Sequence, residues 1–394
     1  MPWAVSSVVM ERMRFCGSAS RAGVNVSACC RSFGISRKTG YKWLRRYRAG
    51  GAEVLADRSS RPLRISRQVA ADVEVRVVAL KQAYPFWGPR KLRRLLFDDR
   101  VTVSTVARVL KRHGLVTPSV SVAYPEVDRW ERGAPNELWQ MDLKAALRSP
   151  DGRKVYPVGI LDDNSRFLVG LWLVPDQSDE RILACWIAAA REYGLPHQTL
   201  TDHGAQFGMD NQESSAFRTY LTACGVRHIQ GRVKHPQTQG KIERLWRTLK
   251  VEVLTTLDLA APETWPPILE RWRHQYNHVR PHESLADQPP VTRYRPSDRP
   301  FIEPDRTERI GRSDSLYRRV NSRGWLALGR YRWMIGRGYA GWTVEARPLG
   351  SGCWHIYFRH HFICEIRPEP IPSTLNRGTR KSVTYVPIHL SPMS

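Results

Sequence analysis

The sequence predicts a multidomain chain with three kinds of structure in series. They are an all-α N-terminal region, an α/β core built on a five-stranded mixed sheet with flanking helices, and a small C-terminal β-barrel. Three observations carry this reading. The 394 residues suffice for two to four domains at about one to two hundred residues each. Charge is segregated: residues 1–117 hold 24 basic and 7 acidic side chains, residues 118–299 hold 23 of each, and residues 300–394 hold 15 and 7. The apolar period changes from helical to strand-like at Glu137.

Composition excludes several classes. With 41% hydrophobic and 25% charged residues, the chain has the material for packed cores and is not broadly disordered. The 7 cysteines are scattered without a C-x-x-C pair, which indicates neither a disulfide framework nor a zinc finger. No apolar run approaches the roughly twenty residues a bilayer requires, and no signal peptide is recognisable, so a cytoplasmic protein without membrane association is expected. A net charge of +25 calls for a polyanionic partner. Basic ends around a neutral centre suggest that the ends hold a phosphate backbone while the centre does something else.

In residues 1–60, positions 25 to 48 read as two short helices around a turn. Gly34 tolerates positive φ and Ser36 suits an N-cap. This is a helix-turn-helix pattern. In its second helix Gly40, Trp43, Leu44 and Tyr47 face inward, leaving Arg37, Lys38, Lys42, Arg45, Arg46 and Arg48 for a DNA groove. Residues 61–117 read as a second helical unit, with helices over 67–83 and 90–97 and a last helix capped by Ser104 and closed by Gly114. It carries Lys91, Arg93, Arg94, Arg108, Lys111 and Arg112 as candidate DNA contacts. Residues 118–135 read as a linker.

The core, residues 136–290, begins with an apolar strand at Leu138–Leu143 that contains one acid, Asp142. Strands over 154–162 and 166–174 flank a turn at Asp163-Asn164-Ser165, and a helix covers 179–193. A fourth strand ends at Asp202, a helix spans 213–224, and a fifth strand covers 226–229. The loop His235–Gly240 leads into a helix whose buried stripe is Ile242, Leu245, Trp246 and Leu249, with Glu243 at its edge. The order is β-β-β-α-β-α-β-α. If the strands of Asp142 and Asp202 adjoin and this helix packs across them, three carboxylates converge. Such a cluster favours hard divalent cations, and two ions about 4 Å apart support in-line phosphoryl transfer. Asp162 and Asp163 are adjacent acids at a turn and are read as structural.

The segments Trp139-Gln-Met-Asp142-Leu, Thr201-Asp202-His-Gly204-Ala-Gln-Phe207 and His235-Pro-Gln-Thr-Gln-Gly-Lys-Ile-Glu243-Arg-Leu-Trp-Arg-Thr-Leu-Lys250 together resemble a known signature. It is the Asp-Asp-Glu signature of insertion-sequence transposases related to retroviral integrases. Tyr276-Asn277, Arg280-Pro281-His282 and Leu285 resemble the segment that closes that catalytic domain. The resemblance implies a ribonuclease-H-like core and DNA strand cleavage and joining. It makes Asp142, Asp202 and Glu243 the catalytic residues and the ligands of two Mg²⁺ (or Mn²⁺). It adds Lys250 as a contact to the element end; Lys241 and Arg247 are further candidate DNA contacts. Two features depart from the family: 40 residues separate Asp202 from Glu243, which suggests a surface insertion near Gly208–Ser214, and His203 stands where Asn is common. The His-His-Cys-Cys zinc module of retroviral integrases has no counterpart.

Residues 291–310 read as a linker, 311–367 as the small barrel and 368–394 as a disordered tail. The barrel resembles the C-terminal barrel of Mu-like transposases, with Arg330, Arg332, Arg337, Arg347 and Arg359 as DNA or partner contacts. The function expected is a DNA transposase that binds terminal inverted repeats and joins them to target DNA. Its partners are double-stranded DNA, as element ends and target, and further copies of itself as a homo-oligomer on DNA. The alternatives are a DNA-binding regulator with a non-catalytic core, or a metal-dependent nuclease of the same fold.

Overall fold

The computed structural model describes residues 7–57, 69–116, 131–207, 215–231, 240–329 and 331–367. Most of the linker expected at 118–135, the insertion near 208–214, the loop 235–239, Arg330 and the tail from 368 lie outside the described residues.

The chain divides into two compact units, Met1–Ala70 and Ala71–Ser394. Among the described residues the first holds three α-helices, α1 (Val8–Ala19), α2 (Val26–Ser32) and α3 (Arg37–Gly50); α2 and α3 are the two expected over 25–48, and α1 was not foreseen. On α1 only Phe15, Cys16 and Ala19 are buried, while Val8, Val9, Met10 and Met13 are exposed. Its apolar residues therefore mark no single stripe, and the helical period gave no signal. Ser36 caps α3 by accepting from the Thr39 N–H at 3.1 Å. Gly40, an unfavourable residue mid-helix, is required by packing: a Cβ there would lie 2.3 Å from Cys30 Sγ and 2.9 Å from Phe15 Cζ.

The second unit begins with α4 (Ala71–Ala83), α5 (Pro89–Leu95) and α6 (Val103–Arg112). The cap of α6 is Thr102, not Ser104: its Oγ1 accepts from the Thr105 N–H at 3.2 Å. Gly114 closes the helix at φ +67°.

The core contains β1 (Leu138–Leu143), β2 (Leu147–Arg148), β3 (Lys154–Asp162), β4 (Leu168–Val174), α7 (Asp179–Tyr193), β5 (Gln198–Thr201), α8 (Ala216–Ala223), β6 (Arg227–Gln230), α9 (Gly240–Leu249) and α10 (Trp265–His278). A wider π-type turn, Lys250–Leu254, follows α9. The sheet is mixed: β1 pairs antiparallel with β3 and parallel with β5, β3 pairs antiparallel with β4, and β5 pairs parallel with β6. The two-residue strand β2 extends the β1 edge against the start of β3, so the sheet has 6 strands rather than five. Alternation sorts β1 between faces. Trp139 and Met141 enter the core shared with α7 and α8, while Gln140 and Asp142 face α9.

Residues 291–310, expected as a linker, run against this core. Tyr294 stacks on Phe167 at 4.0 Å between ring centroids, and the Arg299 guanidinium donates to Pro196 O at 2.8 Å. Beyond lie β7 (Leu316–Arg319), β8 (Trp325–Leu328), β9 (Tyr331–Met334), β10 (Thr343–Gly350), β11 (Cys353–Phe358) and β12 (His361–Ile366). They form a four-stranded antiparallel sheet, β12-β11-β10-β7, and a separate β8-β9 hairpin. The described ladders do not close into the expected barrel. Alternating strands with Gly-rich turns specify antiparallel pairing, but not whether the last edge meets the first. Trp342 packs edge-on against Tyr220 of α8 at 6.2 Å, joining this module to the core.

Candidate active site

Asp142 and Asp202 are brought to one place by strand order. Asp142 lies near the end of β1, and Asp202 directly follows β5, its parallel neighbour. Parallel strands end on the same side of a sheet, where chain turns collect functional groups. Asp142 is half-buried, and its pKa is pushed up to about 6. Burial is the main cause and the Asp202 charge adds to it, while the hydrogen bond from the Trp246 indole works in the opposite direction. That bond runs from Trp246 Nε1 to Asp142 Oδ2 at 2.8 Å. Asp202 is fixed by the Gly204 N–H, which donates to its Oδ1 at 2.9 Å. His203, in the place where Asn is usual, turns its Nε2 to the Gly231 carbonyl.

Glu243 occupies the first turn of α9, one turn before Trp246, and faces solvent. Among the described residues no three His, Cys, Asp or Glu side chains stand close enough together to hold an ion. The structure thus joins two of the three expected carboxylates. The third is carried on α9, the helix whose Trp246 bonds Asp142.

Three contributors went unnoticed in the sequence. Gly159 lies opposite Asp142 in the β1–β3 ladder, and a Cβ there would come within 2.9 Å of the Trp246 ring. Its missing side chain is what lets the indole reach the acid. Trp246 appeared only as a core residue of the helix stripe, although a buried indole N–H needs an acceptor. Gln140, two residues before Asp142 on the same face, accepts from the Ile242 N–H at 3.3 Å and donates to Asp163 Oδ1 at 2.8 Å. The strand parity it shares with Asp142 was the available signal.

The acids read as structural are so placed. Asp162 accepts from the Asn136 N–H at 2.7 Å and the Ser165 N–H at 2.8 Å. Asp163 pairs with Lys241 Nζ at 2.6 Å. Lys241, expected at DNA, therefore bolts the start of α9 to the β3–β4 turn, and burial lowers its pKa.

The other basic candidates separate similarly. On α3, Arg37, Lys38, Lys42 and Arg45 are exposed, whereas Arg46 is half-buried, 4.9 Å from the Trp43 ring centroid. Arg108 and Lys111 are exposed on α6, and Arg247 and Lys250 on α9 and the turn after it. Arg94 is half-buried. Lys91 points to the core: burial and the Arg280 charge lower its pKa to about 8, against the pull of Glu252, Asp287 and Glu283. Its neighbour Arg90 bonds Glu283 at 2.8 Å and Asp287 at 2.9 Å. Arg347 is paired with Glu345 at 2.8 Å and Arg359 with Glu308 at 3.2 Å.

Two family profiles described as integrase core domain match residues 132–236 and 224–290, and two described as homeodomain-like domain match 9–56 and 39–110. The 39.2 kDa protein of insertion element IS476 from Xanthomonas euvesicatoria is 24% identical over 225 residues, covering 56% of this chain and 63% of that protein. The 31.7 kDa protein of insertion element IS407 from Burkholderia multivorans is 27% identical over 180 residues, covering 46% and 60%. The chain thus spans somewhat under two thirds of the length of these relatives. A simian T-cell lymphotropic virus intasome in complex with PP2A regulatory subunit B56 gamma overlays at a TM-score of 0.37 and 16% identity, covering 74% of this chain and 99% of that one. No described helix is long and apolar enough to cross a membrane. Residues 132–290 are thus similar to integrase core domains and residues 9–110 to homeodomain-like domains, and the chain is similar to proteins of bacterial insertion elements.

Proposed function

We propose that the chain is a DNA transposase. In this reading its N-terminal helices bind the terminal inverted repeats of an element, and its core cleaves the DNA strand and joins the freed 3′ end to a target. The observation that carries the reading is the placement of Asp142 and Asp202 at the ends of adjacent parallel strands, with Trp246 of α9 bonded to Asp142. Core packing does not explain a half-buried carboxylate near a second one.

The donor chemistry fits a hard divalent cation, since both groups offer only oxygen and the charge of each adds to that of the other. Asp142, Asp202 and Glu243 are the residues that would hold two Mg²⁺ or Mn²⁺. Such ions supply charge neutralisation at the phosphate and activation of water or a 3′-hydroxyl for in-line displacement. The rest falls to the protein. Trp246 fixes the rotamer of Asp142, and the Gly204 N–H fixes Asp202. Lys241 and Gln140 hold the first turn of α9, which carries Glu243, against the β3–β4 turn and β1. Arg247 and Lys250 present cations for the backbone of the element end, and Arg37, Lys38, Lys42, Arg45, Arg108 and Lys111 do so on the helical units. Bringing two ends together calls for a homo-oligomer on DNA.

Solvent-facing Glu243 favours a second reading, a DNA-binding regulator whose core does not assemble a metal centre. Asp142→Asn separates the two. A transposase variant loses Mg²⁺-dependent cleavage of an end-bearing duplex while its band shift on that duplex is unchanged. A variant that still cuts overturns the assignment.

A further inference from the structure

Two hydroxyls on β5 are fully buried, those of Thr199 and Thr201, although a Val would fill either place without a polar group to satisfy. Each has a partner that accounts for it. Thr199 Oγ1 accepts from the Trp186 indole at 3.1 Å, a contact inside the core. Thr201 Oγ1 lies 2.8 Å from Nε2 of His228 on β6 and donates to the Asp202 carbonyl at 3.0 Å. The first pair locks packing, whereas the second ends on a residue of the candidate active site.

The protons along this second chain have one consistent order. A carbonyl only accepts, so the single hydroxyl proton of Thr201 goes to Asp202, and the contact with His228 takes its proton from the ring. His228 then carries hydrogen on Nε2, and Nδ1, which is buried and has no hydrogen-bond partner among the described residues, is the bare nitrogen. Burial, with the Arg218 charge adding to it, lowers the His228 pKa to about 3, so the ring holds one proton at neutral pH. Phe217 meets the ring edge-on at 5.4 Å and restrains its plane. The backbone is tied in the same place: β5 and β6 pair in parallel, and the Gly231 N–H donates to Thr201 O at 2.9 Å. Asp202 is thus held at its carbonyl by Thr201 and at its carboxylate by the Gly204 N–H.

We propose that His228 and Thr201 are positioning residues for the Asp202 carboxylate, their two hydrogen bonds in series fixing the peptide from which that carboxylate projects. Neither is asked to touch DNA or an ion. Their contribution is orientation, because a ligand whose peptide can turn meets a cation in the right place for less of the time. The inference rests on the transposase reading in taking Asp202 as a ligand of the divalent ion. It gives β6 a part in the site through a side chain that lies outside it.

Mn²⁺ binding to the full chain without DNA, followed by electron paramagnetic resonance, separates ligand orientation from catalysis. Asp202→Asn should weaken it, which ties the signal to the site. His228→Leu and Thr201→Val should each weaken it by about 10–100-fold. The double variant should be no worse than either single one, because both cut one chain. His228→Gln, whose amide can donate in place of Nε2, and Thr201→Ser should recover most of the loss. Thr199→Val, which removes the other buried hydroxyl of β5, should lower the melting temperature and leave Mn²⁺ affinity unchanged. Spectra of ¹⁵N-histidine-labelled wild type should show His228 as a neutral ring protonated on Nε2, a readout that does not depend on any variant folding. Three results would overturn the proposal and leave the transposase reading standing: unchanged Mn²⁺ affinity in His228→Leu and Thr201→Val, a loss from Thr199→Val equal to theirs, or a ring protonated on Nδ1. A wild type that binds no Mn²⁺, or binds it no better than Asp202→Asn, would overturn both.

Discussion

Asp142 combines three properties that a surface acid lacks: burial, a nearby carboxylate, and an indole donor that fixes its direction. Its folded pKa of about 6 lies above the ordinary 3.8, so the folded state binds this proton more tightly than the unfolded chain. The favourable contribution is complete below about pH 4 and is lost as the pH rises through about 6. Without divalent cation, Asp142→Asn should therefore raise stability at pH 8 by roughly 1–3 kcal/mol. It should also flatten the stability loss between pH 4 and 6. Thermal melts across that range check this, and an Asn variant that is less stable at pH 8 would contradict the assigned environment. At this scale the sequence singled out the two acids that the structure sets at neighbouring strand ends, because an acid within an apolar strand and another at a strand end are both out of place on hydropathy grounds. It was silent on Trp246 and Gly159, because a tertiary close approach leaves no period in the chain.

Elements were legible where one face is buried. The strands β1, β3, β4 and β5 and the helix α7 follow their apolar runs closely, and α9 shows its stripe at Ile242, Leu245, Trp246 and Leu249. Elements held by few buried groups were missed: α1, whose apolar residues largely face solvent, and β2, only two residues long; α10 was missed as well, although it buries Trp265, Leu269, Trp272 and Tyr276. Pairing across distant segments was also illegible, which is why a barrel was expected where the C-terminal strands form a sheet and a hairpin. The contact between β3 and α9 is the one on which the site depends. Gly159→Ala should cost about 1–3 kcal/mol through overpacking against the indole. The same change should slow cleavage more than it weakens DNA binding, because it displaces the donor to Asp142. Urea melts alongside cleavage and band-shift assays measure this, and equal activity per folded molecule would contradict it.

Across the whole molecule, charge and chemistry are divided. In the sequence, the basic helices and the arginine-rich C-terminal module flank a core whose charges balance, and the carboxylates lie in that core. The central claim is that this core joins DNA strands. It is tested most directly with purified chain, Mg²⁺ or Mn²⁺, and labelled duplexes carrying the DNA ends that flank the gene, run beside Glu243→Gln. The account predicts joined products with wild type and none with the variant, both binding the ends equally. Tight, specific binding by wild type with neither cutting nor joining under either metal would contradict it.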